Sequence, residues 1–332
     1  MNTDLVVCPG CRTFEDGNLH VRTLVADGDV LACACGRRYP IVDGVPVVLV
    51  HADELLAREH CAVAEGELAA TVDTLVADGE RDDAPYPRLL EHLSIYMDAL
   101  WGDRSEPAPD GEPFGARALV AKLAERAHHR VAHAVELGCS TGRVAAELAA
   151  GADHVVALDL QLGSVRRARR LLDGSPVRYA RRVVGRHYTA ATARAGDRAV
   201  PEARRTILCA DALDPPLIPA MYDRVVALNL LDSVPSPRTL LEVLDGLCAA
   251  GGEILLSSPF AWQSDIVAVP ERLGGADPAQ EITRIVRDGD GLSGPYDIED
   301  AGDLPWTLRR DARTCISYRT FYLRARKRRQ GT

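Results

Sequence analysis

Across residues 135–150, VELGCSTGRVAAELAA, the apolar positions change their period. Val135 and Leu137 form a short strand-like run, Gly138 to Gly142 interrupt it, and Val144, Ala145, Leu148 and Ala149 then recur at helical spacing from Arg143 onward. The pattern predicts a buried strand, a tight turn and a helix. Gly138 and Gly142 leave the backbone without Cβ atoms where a ligand has to come close. Three further apolar runs each close on a polar residue: VVALDLQ at Asp159, ILCADALDPP at Asp211 and YDRVVALNLLDSV at Asn229. Strands alternating with helices predict an α/β, doubly wound sheet whose carboxyl strand ends line one crevice. Glu136, Asp159, Asp211 and Asn229 would then share an edge, with four ordinary strand ends as the blander reading.

Upstream, residues 51–80 are rich in Ala, Leu and Glu and predict one or two connecting helices, RDDAPYPR reads as a break, and RLLEHLSIYMDALWG reads as a helix. That helix carries Leu89, Leu93, Tyr96, Met97 and Leu100 on one face. The Pro-rich residues 105–115 predict a loop, and ARALVAKLAERA a helix before the first strand. Between the second and third strands lies an Arg-rich insertion with His187 and Tyr188, expected to form a flexible lid or wall in which His187 is a solvated residue. The division expected is a small domain at 1–50, a helical connector at 51–85 and the large α/β domain at 86–330.

The 332 residues are 47% apolar, enough for a large core and for more than one domain. A net charge of −9 argues against broad nucleic-acid binding, and the basic runs at 166–170 and 324–329 read as a solvated helix face and a charged tail. With no secretory signal and no membrane-length apolar run, a cytoplasmic protein without membrane contact is expected.

Nine cysteines are then expected to stay reduced, and four of them fall within the first 35 residues. Cys8 and Cys11 form C-P-G-C, Cys33 and Cys35 form C-A-C-G, and the intervening residues carry two Asp-Gly turn signals between short alternating runs. Four thiolates on two glycine-associated knuckles suit a structural zinc site in a small β-rich domain, a zinc ribbon with a tighter second knuckle. Four unmetallated thiols are the alternative. Such a site leaves no open position for catalysis.

The ligand of the crevice follows from the sign of its charges. A dinucleotide fingerprint needs closely spaced glycines for a pyrophosphate, whereas this turn is G-x-x-x-G with Glu136 two residues before it, which suits a cation. The acids before the glycines, after the second strand and after the third resemble the motifs of class I S-adenosylmethionine-dependent methyltransferases. The resemblance implies that Gly138, Ser140, Gly142 and Arg143 cradle the methionine part beside Glu136 and Asn229. Asp159 and Leu160 would hold the ribose side, and Asp211 and Ala212 the adenine.

Two finer resemblances extend this. CPGC, the second cysteine pair and YPIVDGVPVVL resemble the zinc-ribbon-like domain that accompanies some tRNA and protein methyltransferases as an activating subunit. HLSIYMDALWG, ELGCSTGR, NLLDSVPSPRTLL, SSPFAW, RLGG and DLPWTLRR resemble, in order, the methyltransferase domain of ovothiol-type enzymes, which methylate an imidazole nitrogen of 4-mercaptohistidine. Arg272, Phe260–Ala261 and Arg310 depart from that pattern, so the substrate stays open. The candidates on the acceptor side are Tyr96, Asn229, Phe260, Trp262, Tyr296 and Arg309, with core packing, capping or a surface ion pair as their blander roles.

Methyl transfer from a sulfonium is an in-line displacement, and an imidazole is already largely neutral and nucleophilic near neutral pH. Positioning alone contributes about 7–11 kcal/mol, so aromatic walls and fixed acceptors suffice. The expected function is methylation of a small histidine-like or amino-acid-derived acceptor. Methylation of tRNA or protein, and a catalytically silent donor-binding protein, stay open as alternatives, as does the oligomeric state.

Overall fold

A computed structural model describes residues 3–15, 18–58, 85–102, 117–125 and 129–329. The N-terminal region is built of short antiparallel strands: β1 (Thr13–Glu15) with β2 (Asn18–His20), and then a sheet of β3 (Val25–Asp27), β4 (Val30–Ala32), β5 (Arg38–Val42) and β6 (Val45–Pro46). Both residues of the Asp43–Gly44 turn between β5 and β6 have positive φ, +49° and +74°, as a two-residue hairpin of matching twist requires. Helix α1 (Ala52–Arg58) follows. The rest of the expected connector, 59–84, and the expected loop at 105–115 lie outside the described residues.

Helix α2 (Pro85–Trp101) begins inside the segment expected to be a break. The first turn of a helix has no intrahelical partner for its N–H groups, so prolines are tolerated there. Met97 and Leu100 of α2 are buried against Leu119 of α3 (Arg117–Ala124).

The central sheet uses β7 (Val131–Leu137), β8 (Ala152–Asp159), β11 (Arg205–Cys209), β12 (Tyr222–Leu228) and β13 (Cys248–Ser258) as parallel strands. Two long antiparallel strands, β14 (Tyr296–Arg309) and β15 (Cys315–Lys327), complete the order β11-β8-β7-β12-β13-β15-β14. This is the doubly wound α/β sheet expected from the strand ends. The continuous apolar runs of β8 and β12 are buried because helices cover both faces. Those helices are α4 (Arg143–Leu148), α5 (Leu162–Leu172), α6 (Pro237–Leu247) and α7 (Pro278–Asp288). The insertion after α5 is an antiparallel hairpin, β9 (Val177–Val184) and β10 (His187–Ala193), and its backbone docks on α2 through Arg182 N–H to Ser94 Oγ at 2.8 Å. An ordered hairpin replaces the expected flexible segment: Thr189 and Thr192 pair with Arg181 and Arg178, and Ala190 and Ala191 with Ala180 and Tyr179, while the Ser94 contact anchors it to α2.

The N-terminal region packs on the edge of this sheet. Val47 bridges Cys209 of β11 in parallel, and Val48 N–H donates to the Cys209 carbonyl at 2.9 Å. Val7 N–H reaches the Pro216 carbonyl at 2.9 Å, so the loop after β11 is held as well. The basic run at 166–170 contributes to this docking rather than forming a purely solvated face. Arg166 pairs with Asp43, and a Cβ at Gly44 would lie 2.6 Å from the Arg169 guanidinium. The exposed backbone of edge strand β11 is thereby covered within the chain.

Candidate functional site

Adjacent parallel strands β11, β8, β7 and β12 bring Asp211, Asp159, Glu136 and Asn229 to one end of the sheet, as expected. The turn after β7 is held by Gly138 N–H and Cys139 N–H, both donating to the Leu158 carbonyl, at 2.8 and 2.9 Å. Gly138 and Gly142 have φ of +75° and +81°, and Cβ atoms there would meet Leu230 and Ala168 at 2.9 and 2.8 Å. Ser140, Asn229 and Phe260, after β7, β12 and β13, also take positive φ. Non-glycine residues rarely do so, and such strain concentrates where a site dictates the backbone.

Asp159 ties the crevice together. One carboxylate oxygen accepts from Ser140 N–H at 2.8 Å and the other from Gln161 N–H at 2.9 Å, leaving a further lone pair on each. Burial raises its pKa while those N–H groups oppose the rise. Glu136 is 3% exposed, and burial, with the nearby Asp159 charge, pushes its carboxyl well above the usual range. Among the described residues, four buried side-chain atoms without a hydrogen-bond partner lie around this turn: Glu136 Oε2, Ser140 Oγ, Thr141 Oγ1 and Asn229 Nδ2. Buried polar atoms are ordinarily paired, so donors and acceptors left open around a cradle free of Cβ atoms fit a polar ligand. S-adenosylmethionine matches that inventory: acids for its ammonium and ribose, close backbone for its methionine part.

Next to β11, Leu160 and Asp211 meet Val48, Leu49, His51 and Leu55 of the N-terminal region around a recess of about 320 Å³. Leu160 is 41% exposed, an apolar surface open to a flat ring. Ala212 is buried beside it, and Asp211 Oδ1 accepts from Leu213 N–H at 2.8 Å. The contribution of residues 48–55 was not expected from the sequence. It arises because β6 continues onto β11.

On α2, Tyr96 is partly buried and packs against the core. Burial, together with the charges of Asp232 and Asp159, pushes its hydroxyl up to about 12. His92 stacks on it with ring centroids 4.4 Å apart, and burial takes the imidazole down to about 4, so it is neutral at physiological pH. Phe260 lies 5.9 Å from Trp262 and 5.8 Å from Phe321, forming an aromatic wall after β13. Asn229 Oδ1 accepts from Ser257 Oγ at 2.9 Å, which aims its free amide nitrogen away from the strand. His92, Asp232, Tyr318 and Phe321 were missed in the sequence. The spacing of His92 one turn before Tyr96 was the available signal.

Three expected site residues are corrected. Tyr296 is fully buried at the start of β14, paired with Lys327, and its hydroxyl donates to Asp245 Oδ1 at 2.8 Å, at the sheet end opposite the crevice. Its apolar ring and single hydroxyl are satisfied there as core. Arg309 forms an ion pair with Asp98 at 3.6 Å and so ties β14 to α2 instead of standing open to a carboxylate. Arg143 pairs with Glu147 at 2.6 Å and lies over Trp101, so its side chain is engaged within the fold and does not stand open to the crevice. His187 is exposed near the hairpin tip, as expected, while Tyr188 packs on Leu90 and Ala180.

The four N-terminal cysteines converge. Cys8, Cys11, Cys33 and Cys35 have all their sulfur atoms within 4.8 Å of one another, with Cys8–Cys35 at 3.9 Å and Cys11–Cys33 at 3.7 Å. A tetrahedral site with Zn–S bonds of about 2.3 Å has S–S edges of about 3.8 Å, so the cluster fits that metal. Arg37 Nη1 lies 3.6 Å from Cys35 Sγ, where it can offset thiolate charge.

Residues 135–256 match the family described as a methyltransferase domain. Solved structures with a similar fold include a protein studied for conversion of a disulfide bond into a thioacetal group during echinomycin biosynthesis. It has a TM-score of 0.44 and 17% identity, over 79% of this chain and 94% of the other. The N-methyltransferase NodS from Bradyrhizobium japonicum WM9 gives 0.41 and 12%, over 75% and 99%. The magnesium protoporphyrin IX methyltransferase of Synechocystis PCC 6803, with bound S-adenosylmethionine, gives 0.40 and 14%, over 82% and 90%. No curated protein matches the sequence. No helix among the described residues is long and apolar enough to cross a membrane. The matched residues 135–256 supply the glycine turn and the strand ends from Glu136 to Asn229.

Proposed function

We propose that the protein methylates a nitrogen of a small, histidine-like or otherwise amino-acid-derived acceptor. The observation that carries this reading is the grouping of Tyr96, neutral His92 and buried Asp232 with Asp159: His92 stacks on Tyr96 at 4.4 Å, and the charges of Asp232 and Asp159 both act on the Tyr96 hydroxyl. S-adenosylmethionine, when bound, supplies an electrophilic methyl group on a sulfonium. Gly138 to Gly142 would hold its methionine part, Asp159 the ribose, and Leu160 with residues 48–55 the adenine. Tyr96, Phe260 and Trp262 would exclude water and present ring faces to positive charge, at about 0.5–2 kcal/mol each.

The basic runs do not favour a polyanionic substrate. Arg166 is paired with Asp43, Arg326 with Glu299 and Arg328 with Asp297, so these side chains act within the fold. We assign Cys8, Cys11, Cys33 and Cys35 to a structural zinc that fixes the segment running into residues 48–55. With four protein ligands it has no open position for chemistry.

The test is transfer from methyl-labelled S-adenosylmethionine to separated small-molecule, tRNA and protein fractions. Label in the small-molecule fraction is expected, with little dependence on salt. Label in tRNA that falls steeply with salt would replace the reading.

A further inference from the structure

Resting on the methyltransferase reading above, we propose that Asp232 receives the proton of an acceptor N–H as the methyl group is transferred, and thereby selects acceptors that carry one. Asp232 sits in the short 3-10 turn Leu231–Ser233 directly after Asn229, so the end of β12 delivers it to the crevice. It is 3% exposed. One carboxylate oxygen accepts from Ala261 N–H at 2.9 Å, which fixes the side chain; the Ser258 hydroxyl and the Asp232 N–H lie near enough to favour the carboxylate, and the other oxygen, Oδ1, is buried without a hydrogen bond of good geometry.

A buried carboxylate oxygen without a donor is costly, and its persistence points to a donor supplied by a ligand. Two buried acids have such an oxygen among the described residues. Glu136 lies within β7 next to the glycine turn, whereas Asp232 follows β12 and lies near enough to Tyr96 of α2 and Tyr318 of β15 for its charge to act on their hydroxyls. Burial raises the Asp232 pKa, which makes it a better base than an exposed aspartate. His92, the titratable group stacked on Tyr96, is too weakly basic to take the proton instead.

The step balances. The lone pair of the ring nitrogen without a hydrogen forms the N–CH3 bond, the S–CH3 bond breaks and its electron pair stays on sulfur as a neutral thioether, and the proton on the other ring nitrogen passes to Asp232. A sulfonium and a carboxylate become a thioether and a carboxylic acid, so no net charge is left among buried groups that solvate charge poorly.

The experiment uses the full-length protein in single turnovers with methyl-labelled S-adenosylmethionine. The acceptors are histidine and 4-mercaptohistidine, each beside a counterpart already methylated on one ring nitrogen. The wild type is expected to methylate the N–H acceptors at least roughly tenfold faster than the blocked ones. Asp232→Asn keeps an oxygen for Ala261 N–H and is expected to lose about 100-fold on N–H acceptors and to lose the discrimination, the scale of a missing general base. Its affinity for S-adenosylhomocysteine, measured by calorimetry, should be unchanged. A variant within threefold of the wild type, or blocked acceptors that react as well in the wild type, overturns the proposal. So does failure of every ring-nitrogen acceptor, while S-adenosylhomocysteine binding and transfer to a different acceptor would leave the methyltransferase reading standing. Absence of S-adenosylhomocysteine binding overturns both. If Asp232→Asn does not fold, the wild-type comparison of N–H and blocked acceptors decides alone.

Discussion

Asp159→Ala separates two jobs of one carboxylate. In the free protein it accepts from Ser140 and Gln161 N–H, and with donor bound it would also accept both ribose hydroxyls. Hydrogen bonds to a charged acceptor contribute about 1.5–3 kcal/mol each, so two lost to the ribose amount to about 3–6 kcal/mol. At about 1.4 kcal/mol per factor of ten, S-adenosylhomocysteine should bind about 100-fold to about 10,000-fold more weakly. The two backbone N–H groups lose their acceptors as well, which costs about 1–3 kcal/mol each where they stay buried. The thermal midpoint of the free variant should therefore fall, and fall less in Asp159→Asn, which keeps one carbonyl oxygen. Calorimetric titration and thermal melting read these two effects separately. Affinity within threefold of the wild type would refute the ribose assignment, even if the midpoint drops.

Burial raises the Glu136 pKa, and a cationic donor beside it should oppose that rise, because positive charge lowers a carboxyl pKa. S-adenosylmethionine binding should therefore release protons across the range in which Glu136 titrates in the free protein, seen as different heats in buffers of different ionisation enthalpy over a pH series, and Glu136→Gln should abolish the difference; equal wild-type heats at every pH would contradict it. The protein purified under reducing conditions should contain one zinc per chain by metal analysis. Removing it with a chelator should weaken S-adenosylhomocysteine binding at least about tenfold, since residues 48–55 line the recess proposed for the adenine; unchanged affinity would show that the recess does not depend on the metal. Tyr296→Phe should cost about 1–3 kcal/mol of stability in denaturant titration by leaving Asp245 short of a donor, with no change in donor affinity; a large fall in affinity would return Tyr296 to the site.

The convergence of the strand ends was legible because its signals are local. A run of apolar residues that ends in Asp159, and glycines at positions that demand positive φ, carry their structural meaning in a few consecutive residues. The four cysteines were legible for the same reason, since knuckle spacing sets the ligand geometry. The proposed acceptor site depends on which strand passes over which helix. Tyr318 and Phe321 come from a strand whose apolar alternation says nothing about what packs against it, and Asp232 reads as an ordinary turn acid until its neighbours are known. Arg309 shows the converse: a bidentate clamp and an ion pair to a helix look alike in sequence, and only the position of Asp98 decides between them. The docking of residues 47 and 48 on β11 is a long-range pairing with no local signature.

The most direct measurement is a crystal structure of the protein with S-adenosylhomocysteine. The account predicts the ribose hydroxyls on Asp159, the methionine part along Gly138 to Gly142, and the adenine between Leu160 and residues 48–55, with the thioether sulfur facing Tyr96 and Asp232. A ligand bound elsewhere, or one whose adenine makes no contact with the N-terminal region, would contradict it.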